Sequence, residues 1–123
     1  MAVRPSATFS RRKRLTLSRE FGRVFAHPVR SSDAYFTVLA RPGTCDNARL
    51  GLAISKRVAR TACGRNRLRR LSRETFRCLD LPAWDFVVMA KAGAPRVENR
   101  VLHRSLKAHF RRIARRAKAG RRG

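Results

Sequence analysis

Residues 64–77 hold the densest chemistry in the chain, with Arg65, Asn66, Arg67, Arg69, Arg70, Arg73 and Arg77 separated by Leu68, Leu71 and Phe76. At about 100° per residue in a helix, Arg65, Asn66, Arg69, Arg70, Arg73 and Arg77 share one half of the surface. Leu68, Leu71, Thr75, Cys78 and Leu79 share the other. Only Glu74 is placed to pair with Arg70 at i,i+4, so most of the guanidinium charge is left for an external anion. A guanidinium fork meets phosphate bidentately. The pattern predicts a helix that offers one face to nucleic acid and buries the other. It also predicts that Arg65→Ala with Arg69→Ala removes nucleic-acid affinity at little cost to folding.

The balance of charge agrees. There are 31 Lys+Arg against 7 Asp+Glu among 123 residues, a net +24, and self-repulsion of that size opposes compaction until a polyanion neutralises it. The acids Glu20, Asp33, Asp46, Glu74, Asp80, Asp85 and Glu98 are scattered singly, whereas a two-metal nuclease needs clustered carboxylates. His27, His103 and His109 have no acid–base spacing either. No catalytic residue and no protein-bound cofactor or metal is therefore expected. Cys45, Cys63 and Cys78 are odd in number and far apart, which argues against a disulfide framework or a zinc site and fits a reducing, cytoplasmic setting. No apolar stretch is long enough to span a membrane, and the first residues lack a secretory apolar core. No membrane role and no obligate protein partner is expected.

The elements that must position this helix follow from pattern. The length suits one domain, placed at residues 15–117, with residues 1–14 as a flexible basic arm and residues 118–123 as a disordered basic tail. Residues 17–25 read as a short amphipathic helix with Ser18 as its cap and Pro28 ending it. Residues 35–40 are aromatic and β-branched and read as a strand, and residues 49–55 as its hairpin partner. In the second strand Leu50, Leu52 and Ile54 lie on one side; Gly51, Ala53 and Ser55 lie on the other, where something can approach closely. Residues 84–90 read as a strand covered on both faces, with Trp84 as a core anchor. Residues 99–117 read as a final helix whose arginines form a solvated face. Strand, arginine helix, strand makes a βαβ unit in an α+β fold.

The run Arg65-Asn66-Arg67-Leu68-Arg69-Arg70-Leu71-Ser72-Arg73 resembles the RNR signature of the bacterial ribonuclease P protein family. Phe21 and Phe25, the segment 50–57 and the segment 85–91 resemble its other landmarks in the same order. The resemblance implies a small two-layer αβ sandwich with an N-terminal helix, a central mixed sheet, the arginine helix in a left-handed βαβ crossover and a C-terminal helix. It implies a protein subunit that assists a catalytic RNA in removing the 5′ leader of precursor tRNA, with Mg2+ bound mainly by that RNA. Ribonuclease P RNA and precursor tRNA are the implied partners. Arg65, Asn66, Arg67, Arg69, Arg70 and Arg73 map onto the family's RNA-facing helix. Lys56 and Arg57 map onto its basic turn, and Arg77 extends the stripe. Phe21 and Phe25 map onto the helix beside a leader cleft, to which Tyr35, Thr37 and Leu39 are added by location. Two rivals share the charge and size: a ribosomal or RNA-assembly protein without a role in cleavage, and a DNA binder setting the arginine helix in a major groove.

Overall fold

The computed structural model describes residue 24, residues 28–43 and residues 46–122, with side chains through residue 118. In chain order its elements are β1 (Val29–Ser32), β2 (Phe36–Pro42), β3 (Arg49–Ala53), α1 (Ala62–Arg77), β4 (Trp84–Ala90), a short 3-10 turn (Ala94–Arg96) and α2 (Asn99–Arg122). The basic arm, Phe21, Phe25, His27 and Cys45 lie outside the described residues. Val24, expected in the first helix, is helical and fully buried.

The strands form one mixed sheet in the order β1-β2-β4-β3. β1 and β4 flank β2 antiparallel, and β3 runs parallel to β4. The run Phe86-Val87-Val88 is buried on both faces, which places β4 inside the sheet, where each edge finds a partner. β3 and β4 are parallel neighbours joined through α1, which is the expected βαβ unit. The expected hairpin of β2 with β3 does not form, because β4 sits between them. The hairpin partner of β2 is instead β1, whose Ser31 pairs with Val38 in register.

One sheet face and both helices enclose the main core. Phe36, Val38 and Ala40 of β2, Leu50 of β3 and Phe86 and Val88 of β4 meet Leu68, Leu71 and Phe76 of α1 and Leu102, Leu106, Phe110 and Ile113 of α2. At its centre Phe76, Phe86 and Phe110 pack edge to face, with centroids 5.6, 5.6 and 5.7 Å apart. Each such pair contributes about 0.5–1.5 kcal/mol beyond its buried area. Trp84 packs partly buried against this core, as expected. The helical wheel leaves out Phe76 and the buried Ser72, whose hydroxyl donates to the Leu68 carbonyl at 2.8 Å. It places Cys78 inward, but α1 ends at Arg77 and Cys78 is its exposed C-cap. The final helix does not stop near Ala117 with a disordered tail: it runs to Arg122, since alanine, lysine and arginine sustain a helix well and one glycine costs only about 1 kcal/mol.

α2 is pinned to the β1–β2 corner by a chain of polar groups. Arg112 donates to Ser31 Oγ at 2.7 Å, Ser31 Oγ meets His109 Nδ1 at 2.6 Å, and His109 Nε2 faces Asp33 Oδ2 at 3.1 Å in a bent contact. Ser105 donates to the same carboxylate at 2.5 Å. The order Ser-His-Asp is that of a hydrolytic triad, yet Ser31 and His109 are 3% and 1% exposed and Arg112 occupies the hydroxyl, so the group works as a tie. Partial burial pushes the Asp33 carboxyl up, but hydrogen bonds from Ser105 and the Phe36 and Tyr35 amides, with the His109 ring beside them, outweigh it and hold the group at about 2 against an ordinary 3.8. Burial first, and then Arg112 and Lys91, hold His109 below its ordinary 6.5 against the pull of Asp33. Both folded-state values are depressed, so both contributions are complete above the ordinary values and are lost with acidification. Unfolding free energy should fall first below pH 6.5 and again between pH 3.8 and about 2. Asp33→Asn should flatten the second decline in urea titrations taken across pH, and an unchanged curve would show that Asp33 does not carry it.

Candidate nucleic-acid interface

α1 begins at a side-chain cap. Thr61 Oγ1 accepts from the Gly64 amide at 2.9 Å, satisfying one of the open donors of the first turn. No acid sits in that turn, so the positive end of the helix dipole is unopposed. Upstream, the amides of Val58 and Ala59 close on the Ser55 carbonyl at 3.2 and 3.1 Å. This turn leaves Lys56 and Arg57 exposed close in sequence to the helix start.

The arginines of α1 divide into two groups. Asn66, Arg70 and Arg77 are exposed and Arg73 is half-buried, on the side away from Leu68, Leu71 and Phe76. Arg70 makes no ion pair with Glu74, so its charge faces solvent. Arg65 and Arg69 are half-buried at the flank. Arg65 donates to the carbonyls of Ala59 and Arg60 at 3.0 and 3.2 Å, and Arg69 reaches Asn66 Oδ1 at 3.3 Å. Arg67 turns away altogether: it donates to Asn99 Oδ1 at 2.6 Å, to the Pro95 carbonyl at 3.1 Å and to the Val97 carbonyl. Its guanidinium fastens α1 to the start of α2. His103 adds a second fastening, its Nδ1 at 2.9 Å from Thr75 Oγ1, which itself donates to the Leu71 carbonyl. The outward surface is thus Lys56, Arg57, Asn66, Arg70, Arg73 and Arg77, with Arg65 and Arg69 at its edge and Arg67 behind it.

The other sheet face carries three rows across β2, β4 and β3. Register sets Thr37 beside Met89 beside Ala53, then Leu39 beside Val87 beside Gly51, then Arg41 beside Asp85 beside Arg49. Val24 covers the middle row, packing with Leu39 and Val87. Thr37 is buried with its hydroxyl 2.9 Å from Ser32 Oγ, while Met89 is half-buried and Ala53 exposed. The opening on this face is therefore at the Met89–Ala53 end, beside the small residues expected to admit a neighbour. Tyr35 precedes the strand in a bend and is partly buried against the main core, so the two-residue period does not carry it to the side of Thr37 and Leu39. In the last row Arg49 grips Asp85 at 3.0 and 3.1 Å with both side chains buried. Composition counts this arginine as surface charge; the only sequence hint of its role is a strand position opposite an acid.

Among the described residues no three His, Cys, Asp or Glu side chains gather in metal-binding geometry, and no helix is long and apolar enough to cross a membrane. An αβ sandwich that presents a basic helix face is suited to binding a polyanion.

The ribonuclease P family model matches residues 9–114. The ribonuclease P protein component of Methylococcus capsulatus is 46% identical over 110 residues, covering 88% of this chain and 86% of that protein. The solved RNase P protein of Staphylococcus aureus superposes with a TM-score of 0.75 at 26% identity, over 83% of this chain and 94% of that one. The RNase P protein of Thermotoga maritima gives 0.72 at 29% identity, over 80% and 96%. The chain belongs to the ribonuclease P protein family.

Proposed function

We propose that the chain serves ribonuclease P as its helper subunit, binding the catalytic RNA through the outward face of α1 and assisting removal of the 5′ leader from precursor tRNA. Its carrying observation is that face: Arg70 exposed and without an ion pair among the described residues, flanked by Arg73, Arg77, Lys56 and Arg57, on a helix locked from behind by Arg67 and His103. A rigid cationic face screens the repulsion between two RNAs without reading bases. Cleavage itself belongs to the RNA, which binds the magnesium; the protein supplies charge and position. The leader lies against the open end of the second sheet face, beside Met89 and Ala53, since Thr37 is buried and Val24 covers Leu39. Phe21 and Phe25 then serve as stacking rings. Family membership favours this reading over a ribosomal one, and the packing of α1 against a sheet disfavours insertion into a DNA groove.

The test is cleavage of a 5′-leader precursor tRNA at low magnesium by the protein, by a bacterial ribonuclease P RNA and by the two mixed. Cleavage only in the mixture is expected. Cleavage by protein alone would place the chemistry in the chain, and an RNA unaffected by folded protein would remove the helper role.

A further inference from the structure

The exposed side of α2 carries a second, separate feature. Arg100, Arg104, Lys107, Arg111, Arg115 and Lys118 recur at i, i+4, i+7, i+11, i+15 and i+18, which places them within about 80° of arc along about 27 Å of helix. Five are exposed and Lys107 is half-buried. α2 itself contains no acid. Glu98, just before it, pairs with Arg100 at 3.5 Å, and Asp80 faces Arg111, Arg115 and Lys118 across a shallow groove. The row remains strongly positive.

Such a row is costly where it stands. Like charges at i,i+4, such as Arg100 with Arg104 and Arg111 with Arg115, oppose the helix that carries them, and a chain of net +24 needs no more charge for solubility. An external polyanion reverses that repulsion. The row is also held rigidly, because His109, Ser105 and Arg112 tie α2 to the β1–β2 corner and Arg67 ties its first turn to α1.

We propose that this ridge is a second RNA-docking surface, which grips the phosphate backbone of a double-helical segment of the ribonuclease P RNA independently of the α1 face. The proposal rests on the RNA-binding reading above. Single-stranded RNA is the poorer match, since binding it draws on aromatic rings between the cations and the exposed described residues of α2 are asparagine, arginine, lysine and alanine. A bilayer is poorer still, because Leu102, Leu106, Phe110 and Ile113 are buried in the core and leave no apolar face to enter it.

The experiment measures equilibrium binding of the full chain to ribonuclease P RNA over a series of salt concentrations. It compares wild type with R104Q/R111Q, and with a charge-matched pair at two exposed arginines elsewhere, R30Q/R96Q. The ridge pair should weaken binding about tenfold and flatten the salt dependence by about two phosphate contacts, with less than a threefold effect from the control pair. R104K/R111K should retain the wild-type slope. Equal losses from both pairs would reduce the ridge to general charge and overturn the proposal, as would a loss confined to parallel titrations with precursor tRNA or with anionic phosphatidylserine vesicles. R70Q, run alongside, separates the two readings: if it weakens RNA binding while R104Q/R111Q does not, the ridge fails and the helper reading stands. If neither changes binding, both fail.

Discussion

Asp85→Ala is expected to remove about 3–5 kcal/mol of folding stability, because it takes a bidentate carboxylate away from a buried guanidinium. Arg49 and Asp85 face one another in register on adjacent parallel strands and are joined by two parallel hydrogen bonds of 3.0 and 3.1 Å, with side chains 8% and 0% exposed. The site has no slack. A Cβ built at Gly43 would lie 2.7 Å from Asp85 Oδ1, so the carboxylate fills the room that glycine leaves. Urea unfolding should show a lower midpoint with an unchanged slope, the mark of lost stability rather than altered compactness. The pair itself is not a large net source of stability, because desolvation offsets most of the attraction. Arg49→Met with Asp85→Leu should therefore be clearly more stable than Asp85→Ala alone. A loss under about 1 kcal/mol in the single variant would mean that the pair contributes no more than an exposed one does.

That pair marks where sequence reading stops. Helical periodicity identified α1 and α2, and a near-continuous apolar run identified β4 as a strand covered on both faces. The same rule misses β1, because Val29–Ser32 has one apolar residue and owes its place to Ser31 meeting His109 from the far end of the chain. It also pairs β2 with β3, since adjacency in sequence is the only local guide to strand order, and the intrusion of β4 between them depends on burial on both faces. In the site, the wheel separated the basic and apolar halves of α1 correctly at Arg70, Leu68 and Leu71. It could not distinguish an arginine facing solvent from one bent back onto carbonyls. Arg67 and Arg65 have the same residue type as Arg70, and only the positions of Val97, Asn99 and Ala59 decide their roles.

The same distinction redirects the sharpest test of RNA binding. The sequence singles out Arg65 with Arg69, but Arg65 braces the connector before α1 and its loss should disturb local structure as well as charge. K56Q/R57Q/R70Q removes three exposed cations that brace nothing else among the described residues. At about 1 kcal/mol for each exposed phosphate contact, affinity for ribonuclease P RNA should fall on the order of a hundredfold, and the salt dependence should flatten by about three contacts. Thermal unfolding should barely move. R67Q should do the reverse, because its three bonds run to Asn99, Pro95 and Val97 within the chain: Tm falls while the salt slope stays at the wild-type value. If R67Q instead flattened the slope and left Tm unchanged, its guanidinium would belong on the RNA side, and the division of α1 into an outward face and a rear clamp would be wrong.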